Sequence, residues 1–320
     1  MFNLRTDLAV ELQELEKRHT PDIDGVETHT QQMGEVFVTR VQIKNNAGAE
    51  RLGKPIGNYI TLEMENLNFQ DTEQYETCCT LLKNELEGLQ SFDAQKPVLV
   101  VGLGNRFITA DALGPKAVDR IFVTRHMHAQ LGEYFGDALA SVCAVAPGVL
   151  GITGVETAEI VEGVCARVKP GLILVIDALA ARSVHRINTT VQISDTGITP
   201  GSGVGNHRAA FNKERFGVPV IAIGVPTVID AMTMAYDAAY SVLHAVQSQA
   251  GDTLSCMQNL TDADLYAIVE NLMRTSVGDL TVTPKEVDFA MERISKVVAG
   301  GINLYLHKEL SVAELSSLTM

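Results

Sequence analysis

Two aspartates, Asp111 and Asp177, are the residues of this 320-residue sequence best placed to do chemistry. Each follows a short apolar run. Pro97-Val-Leu-Val-Val101 leads through Gly102-Leu-Gly104-Asn105 to Asp111, and Leu172 to Ile176 runs directly into Asp177. Uniformly apolar runs of this length read as strands buried on both faces, and such sheets bind ligands outside the carboxyl ends of their strands. The two aspartates are therefore expected at one edge of one sheet, carried by different strands. Carboxylates within hydrogen-bonding reach of each other cannot both ionise cheaply, so one holds a proton near neutral pH. One can then act as general base on water while the other protonates a carbonyl oxygen or a leaving amine. Each also has a plainer reading, Asp111 as a helix N-cap and Asp177 as the ion-pair partner of Arg182 or Arg186.

Three glycine-rich loops could wall a groove around such a pair. They carry Gly102, Gly104 and Asn105 after the first run, then Gly148 and Gly151 after Ser141–Ala146. The third is Gly201-Ser-Gly203-Val-Gly205-Asn206-His207. The first lacks the third glycine of a dinucleotide fingerprint, because position 107 is Phe, and the last lacks the Lys-Ser/Thr ending of a P-loop. Their backbone amides suit an extended peptide or an oxyanion. Other chemistries have less to stand on. There is no G-x-S-x-G elbow and no H-E-x-x-H, and His126 and His128 are spaced to diverge on a helix. The five cysteines form no C-x-x-C pair and read as buried free thiols of a reducing compartment.

The elements that must position these residues can be read in order. Residues 1–30 are polar and of mixed charge, which predicts a mobile or loosely packed segment with Glu11, Glu14, Glu16, Lys17 and Arg18 on a solvated face. Val36–Ile43 and Tyr59–Glu65 form an antiparallel strand pair, and 71–89 has helical spacing in Tyr75, Cys79, Leu82 and Leu86. Apolar strands at 97–101, 141–146, 172–176 and 218–223 then alternate with helical or loop segments at roughly 111–135, 153–169 and 228–248. The fold class expected is α/β: a doubly wound, mostly parallel sheet with helices on both faces, of phosphorylase or hydrolase type, plus the N-terminal antiparallel pair. Residues 248–280 read as a polar loop insertion. Thr283-Pro284-Lys285-Glu286 reads as a capping box opening a last helix, broken at Gly300-Gly301.

Composition narrows the function classes. Hydrophobic residues make up 46% and charged residues 20%, as in ordinary globular proteins. No apolar run is long enough to span a bilayer and Met1–Asp7 has no apolar signal region, so a cytoplasmic location without membrane association is expected. A net charge of −14 argues against direct nucleic-acid binding.

The same stretches resemble the germination proteases of endospore-forming bacteria. The matching motifs are Arg5-Thr-Asp-Leu-Ala-Val-Glu11, Val100-Val-Gly-Leu-Gly-Asn105, Asp111-Ala-Leu-Gly-Pro-Lys-Ala-Val118, Pro147-Gly-Val-Leu-Gly151 and Ile176-Asp-Ala-Leu-Ala-Ala-Arg-Ser183. Gln192-Ile-Ser-Asp195, Pro200-Gly-Ser-Gly-Val-Gly-Asn206 and Val282-Thr-Pro-Lys-Glu-Val-Asp288 complete the series. The resemblance covers nearly the whole chain. It implies an aspartate-dependent endopeptidase, made as a zymogen in the forespore and acting in the spore core on small acid-soluble DNA-binding proteins during germination. It also implies a homotetramer without metal or other cofactor, and it lays the family's two catalytic aspartates on Asp111 and Asp177. Family substrates are cut after an acid, before a large apolar residue followed by Ala, a small residue and Glu. Asp7-Leu8-Ala9-Val10-Glu11 is similar, which implies self-cleavage at Asp7-Leu8, with 1–7 as pro-segment and 8–320 as a single catalytic domain. Such a pro-segment is short for the family, and the region before Val282 is abbreviated.

Two other readings stay open. The Gly-x-Gly-Asn strand end followed by an acid is similar to the hydrogenase-maturation endopeptidases, metal-dependent enzymes in which Asp111 and Asp177 would be ligands and His207 a third. A non-catalytic module would instead use the glycine loops to hold a peptide or nucleotide.

Overall fold

A computed structural model describes residues 5–17, 20, 22–64, 71–128, 139–201, 208–249 and 261–318. The sheet runs β1 (Val26–Met33), β2 (Val36–Ile43), β3 (Gly57–Glu63), β7 (Thr190–Ser194), β8 (Val220–Asp230), β6 (Leu172–Ala181), β4 (Val98–Gly102), β5 (Val142–Val145) in spatial order. A short β9 (Thr281–Val282) pairs with the far end of β8. The β8–β6–β4–β5 half is parallel, and the β1–β2–β3–β7 half is antiparallel and joins β8 in the same sense. This is the expected α/β architecture, with the antiparallel part larger than the predicted pair.

Apolar side chains alternate to the two faces of the sheet, and each face acquires its own layer of helices. Leu174 and Ile176 of β6 face a core shared with Leu82 and Leu86 of α3 (Thr72–Leu89), Leu113 and Ala117 of α4 (Leu113–Val118), and Ile294, Val298 and Ile302 of a long C-terminal helix, Val287–Leu306. Ile173 and Val175 face the other way, against Ala158 and Val161 of α5 (Thr157–Val168). The parallel strands are thus covered on both sides, which is why they read as unbroken apolar runs.

The N-terminal segment differs most from expectation. Arg5–Leu8 has no regular secondary structure, and α1 (Ala9–Lys17) closes onto the antiparallel half of the sheet. Leu8 and Val10 are buried among Leu179, Ala181, Ile187 and Ile229, while Ala9 packs on Val41, Ile43, Tyr59 and Leu52 of α2 (Asn46–Leu52). Burying side chains such as Leu8 and Val10 contributes roughly 1.5–3 kcal/mol each, enough to hold a segment whose polar residues suggested mobility. The expected solvated face is corrected at Glu11, while Glu14 and Lys17 are exposed as expected and Arg18 lies outside the described residues. Glu11 is 1% exposed, Glu14 pairs with Arg186, and Glu16 pairs with Arg51.

Other boundaries move for identifiable reasons. β6 continues past Ile176 to Ala181 and β8 past Ile223 to Asp230, because each pairs with the other beyond the point where β4 ends. Of the helical or loop stretch expected at 111–135, α4 covers 113–118 and a second turn begins at Arg125, while 129–138 lies outside the described residues. Within the stretch expected as a loop insertion, Asp262–Ser276 is a helix with a true capping box between Thr261 and Asp264. The capping box expected at Thr283 does not form. Its hydroxyl donates to the Thr227 carbonyl at 2.8 Å, and the helix starts at Val287 without a side-chain cap. Nor do Gly300 and Gly301 break that helix, since they are where it meets α3. A Cβ on Gly300 would sit 2.6 Å from Cys79 Sγ, and one on Gly301 would sit 2.5 Å from Leu82 Cδ2. Cys78 and Cys79 are buried free thiols as expected, whereas Cys143 and Cys165 are free and only half-buried, and Cys256 lies outside the described residues.

Candidate active site

Asp111 and Asp177 line one cavity of about 410 Å³. Asp177 belongs to the β6 residues that point toward α5, and sits one residue beyond the pairing of Ile176 with the last residue of β4. Asp111 reaches the same space from the loop after β4. It closes a short 3₁₀ turn, Thr109–Asp111, anchored by the Thr227 hydroxyl donating to the Ala110 carbonyl at 2.6 Å. The Asn105 amide donates to Asp111 Oδ2 at 2.8 Å. Gly104 makes this return possible. Its φ is +106°, and a Cβ there would lie 2.0 Å from the Asp111 carbonyl oxygen. Only glycine fits that conformation and that closeness.

The plainer readings of both aspartates fall away. Asp111 caps no helix: α4 begins after Ala112 with no side-chain cap. Arg182 pairs with Asp237, and Arg186 with Glu14, Glu63 and Glu11, so the bonds of those arginines that were expected for Asp177 go elsewhere. Asp177 is 5% exposed and accepts the Ala178 amide at 3.0 Å. Burial, and then the neighbouring charges of Asp111 and Asp7, push its carboxyl well above the usual range. Burial also raises Asp111, opposed by the Asn105 amide and by Arg208. Of two carboxyls in one cavity, the deeper is the one that retains a proton as pH rises.

Asp7 lines this cavity too, and with Leu179 it forms the wall shared with a second cavity of about 810 Å³. Its amide donates to the Ala180 carbonyl at 2.9 Å and its Oδ2 accepts the Ala180 amide at 2.8 Å, so residue 7 lies along β6 three positions beyond Asp177. The Asp7 carbonyl accepts Gln192 Nε2 at 3.1 Å, and the Leu8 amide donates to Thr6 Oγ1 at 3.1 Å. Thr6 Oγ1 in turn donates to Glu11, whose carboxylate takes the amides of Arg182 at 2.7 Å and Ser183 at 2.9 Å. The backbone around Asp7-Leu8 is therefore fixed on both sides of the peptide bond.

The candidate loop residues divide. Gly104 and Gly201 line the cavity, and Asn105 contributes its amide to Asp111. Gly102 lies beneath the site, against the Gly114 backbone, where a Cβ would clash at 2.3 Å. Gly148 accepts Thr157 Oγ1 through its carbonyl beside the lining residue Val149, and Gly151 is exposed away from the cavity. Gly203, Gly205 and His207 lie outside the described residues. Among those described, no group of three or more His, Cys, Asp or Glu is gathered to hold a metal. Sequence reading missed Arg208, Thr227 and Gln192. Arg208 directly follows the third glycine loop and lines the cavity, and Gln192 opened a motif whose role was not read.

Fold and cavity together define an α/β protein in which a buried carboxyl, Asp177, and a half-buried one, Asp111, line one cavity at the carboxyl edge of its parallel strands. Known proteins share the sequence behind this design: a family model described as germination protease matches residues 5–266. The chain belongs to the germination protease family and is a peptidase. Germination proteases of Clostridium perfringens and Caldanaerobacter subterraneus subsp. tengcongensis are 42% and 44% identical to it over 321 residues. Each alignment covers 99% of this chain and 98% or more of the relative. That of Priestia megaterium is 38% identical over 361 aligned positions, covering 99% of this chain and 97% of its own length. That relative therefore carries segments with no counterpart here. No helix of the described residues is long and apolar enough to cross a membrane.

Proposed function

We propose that this peptidase is of the aspartic type, that Asp111 and Asp177 are its acid–base pair, and that it first cuts its own Asp7-Leu8 bond. The observation carrying this reading is that Asp7 lines the same cavity as the two carboxylates. Asp177, the more deeply buried, holds the proton and gives it to the Asp7 carbonyl oxygen. Asp111, ionised and exposed to the cavity, takes a proton from water as the water oxygen attacks the carbonyl carbon. When the tetrahedral intermediate collapses, the C–N bond breaks and the proton held by Asp111 passes to the Leu8 nitrogen. The proton on the former carbonyl oxygen returns to Asp177. The net change is one water consumed, one carboxyl at Asp7 and one amine at Leu8.

The name of the family and of the relatives supports a role in spore germination. The likeness of Asp7–Glu11 to substrate cleavage sites supports small acid-soluble spore proteins as the substrates cut after self-processing, inside the forespore and the spore core. Assembly as a homotetramer belongs to the same reading.

The test is to incubate the purified protein with a small acid-soluble spore protein, with and without chelator, and map the products by mass spectrometry. Cuts after an acidic residue and before a large apolar one, together with a new enzyme N-terminus at Leu8 and rates unchanged by chelator, are expected. Cuts elsewhere, or loss of activity on chelation, would overturn the aspartic assignment.

A further inference from the structure

Gln192 lies directly across the sheet from Asp177. Asp177 of β6 and Gln192 of β7 are each registered with Gly224 of the strand between them, β8. Residues in register on adjacent strands project to the same face, so Asp177, Gly224 and Gln192 form one row. With strands about 4.8 Å apart, the outer two backbones are roughly 10 Å from each other. The middle position has no side chain, and a Cβ there would meet Leu179 at 2.4 Å. Leu179 packs in the cluster that receives Leu8.

The Gln192 side chain is 7% exposed and spends both ends of its amide on the segment seated over this row. Nε2 donates to the Asp7 carbonyl at 3.1 Å, and Oε1 accepts the Ala9 amide at 2.7 Å. The amide orientation follows from chemistry, since a carbonyl can only accept and a backbone N–H can only donate. These two contacts bracket Leu8. They touch backbone alone, so they would serve any extended substrate entering the same seat.

We propose that Gln192 is the electrophilic residue of the reaction: its Nε2 donor polarises the scissile carbonyl and stabilises the charge developing on its oxygen as Asp177 delivers the proton, while Oε1 fixes the register of the leaving strand. This rests on the cleavage of Asp7-Leu8 proposed above. A carbonyl oxygen has two lone pairs, so one can take the Gln192 bond while the other takes the proton of Asp177. The charge that develops as water attacks then meets a fixed donor opposite the acid pair, and loss of one such donor typically slows acyl transfer a hundredfold or more.

Gln192→Glu separates this role from a structural one. The glutamate is close in shape and keeps the acceptor for Ala9, but when ionised it has nothing to donate to the Asp7 carbonyl. The ionisable groups around it are Asp7 on the seated segment, Asp177 along the row, and Glu16, Glu50, Arg51, Lys54 and Tyr59 lining the adjoining cavity. Rates of self-processing of the full chain are measured by mass spectrometry between about pH 5 and pH 7 and expressed relative to the intact sequence at each pH, which cancels the titration of the acid pair itself. The expected result is a loss of about a hundredfold near pH 7 that narrows as the glutamate protonates and regains a donor, with thermal unfolding close to wild type at the acidic end, where the glutamate is neutral. Gln192→Leu, which has no donor at any pH, should be slow throughout. If both variants cut Asp7-Leu8 at the wild-type rate, or if the Glu variant is slowed by a constant factor at every pH, the role assigned to Gln192 is overturned. If the unaltered chain makes no cut at Asp7-Leu8, the cleavage reading itself fails, and this proposal with it.

Discussion

Asp7 and Ala180 hold each other by two hydrogen bonds, the Asp7 amide to the Ala180 carbonyl at 2.9 Å and the Ala180 amide to Asp7 Oδ2 at 2.8 Å. One bond is made by backbone and the other by the acidic side chain. Residue 7 is thus held along β6 by its backbone and its acidic side chain at once. A residue without a carboxylate would keep the first bond and lose the second. Asp7→Ala should therefore slow self-processing by roughly tenfold or more, because a buried Ala180 amide is left unsatisfied at a cost of about 1–3 kcal/mol. Asp7→Glu, which keeps the acid, should retain most of the rate. The measurement is the time course of the mass shift at fixed pH.

Glu11 anchors the other side of the same segment. Its carboxylate satisfies the amides of Arg182 and Ser183 and accepts from Thr6, with Arg186 at 3.4 Å. Replacing it with Ala strands two buried donors. The expected outcome is a loss of about 2–4 kcal/mol in urea unfolding and earlier nicking of residues 5–17 by an added protease. Glu11→Gln, which still offers one acceptor, should lose less.

Asp177 should make the protein less stable as pH rises. Its carboxyl is raised in the folded state relative to the unfolded chain, so the native state binds the proton more tightly. The stabilisation from that proton is fully present below the unfolded carboxyl value near 4 and is lost as pH climbs through the raised folded value. Asp177→Asn removes the penalty of a buried charge. It should melt higher than wild type at neutral pH, and the difference should shrink toward pH 4. A gap that is constant with pH would count against a raised carboxyl at this position.

Gly300 and Gly301 offer a test away from the site. Alanine is better than glycine in a helix by about 1 kcal/mol, which alone predicts stabilisation. Here the added Cβ atoms would press on Cys79 and Leu82 of α3. Overpacking of this kind costs about 1–3 kcal/mol, so either alanine variant should lower the melting temperature.

The sequence carried the parallel half of the fold plainly, because strands covered on both faces leave continuous apolar runs at 98–102, 142–145, 172–176 and 220–223. It carried the shared cavity of Asp111 and Asp177 for the same reason, since both follow such runs. β7 was legible but passed over: Val191 and Ile193 alternate with Thr190, Gln192 and Ser194, a period of two. β1 was not legible, being a polar edge strand defined only by its pairing with β2. The docking of Arg5–Lys17 was hidden as well. It depends on partners at Ala180, Arg182, Ser183 and Gln192, contacts of more than 170 positions in sequence that no local pattern announces. The glycine pair in the last helix misled because glycine in isolation argues for a break, and only the neighbouring helix explains its use.

The assignment of the carboxylate pair is tested most directly by following the intact mass of Asp111→Asn and Asp177→Asn chains beside the unaltered one. The unaltered chain should shorten to begin at Leu8. Both variants should stay full length or process at least about a hundredfold more slowly, with their circular dichroism spectra unchanged. Cleavage of either variant at Asp7-Leu8 at the rate of the unaltered chain would contradict that assignment.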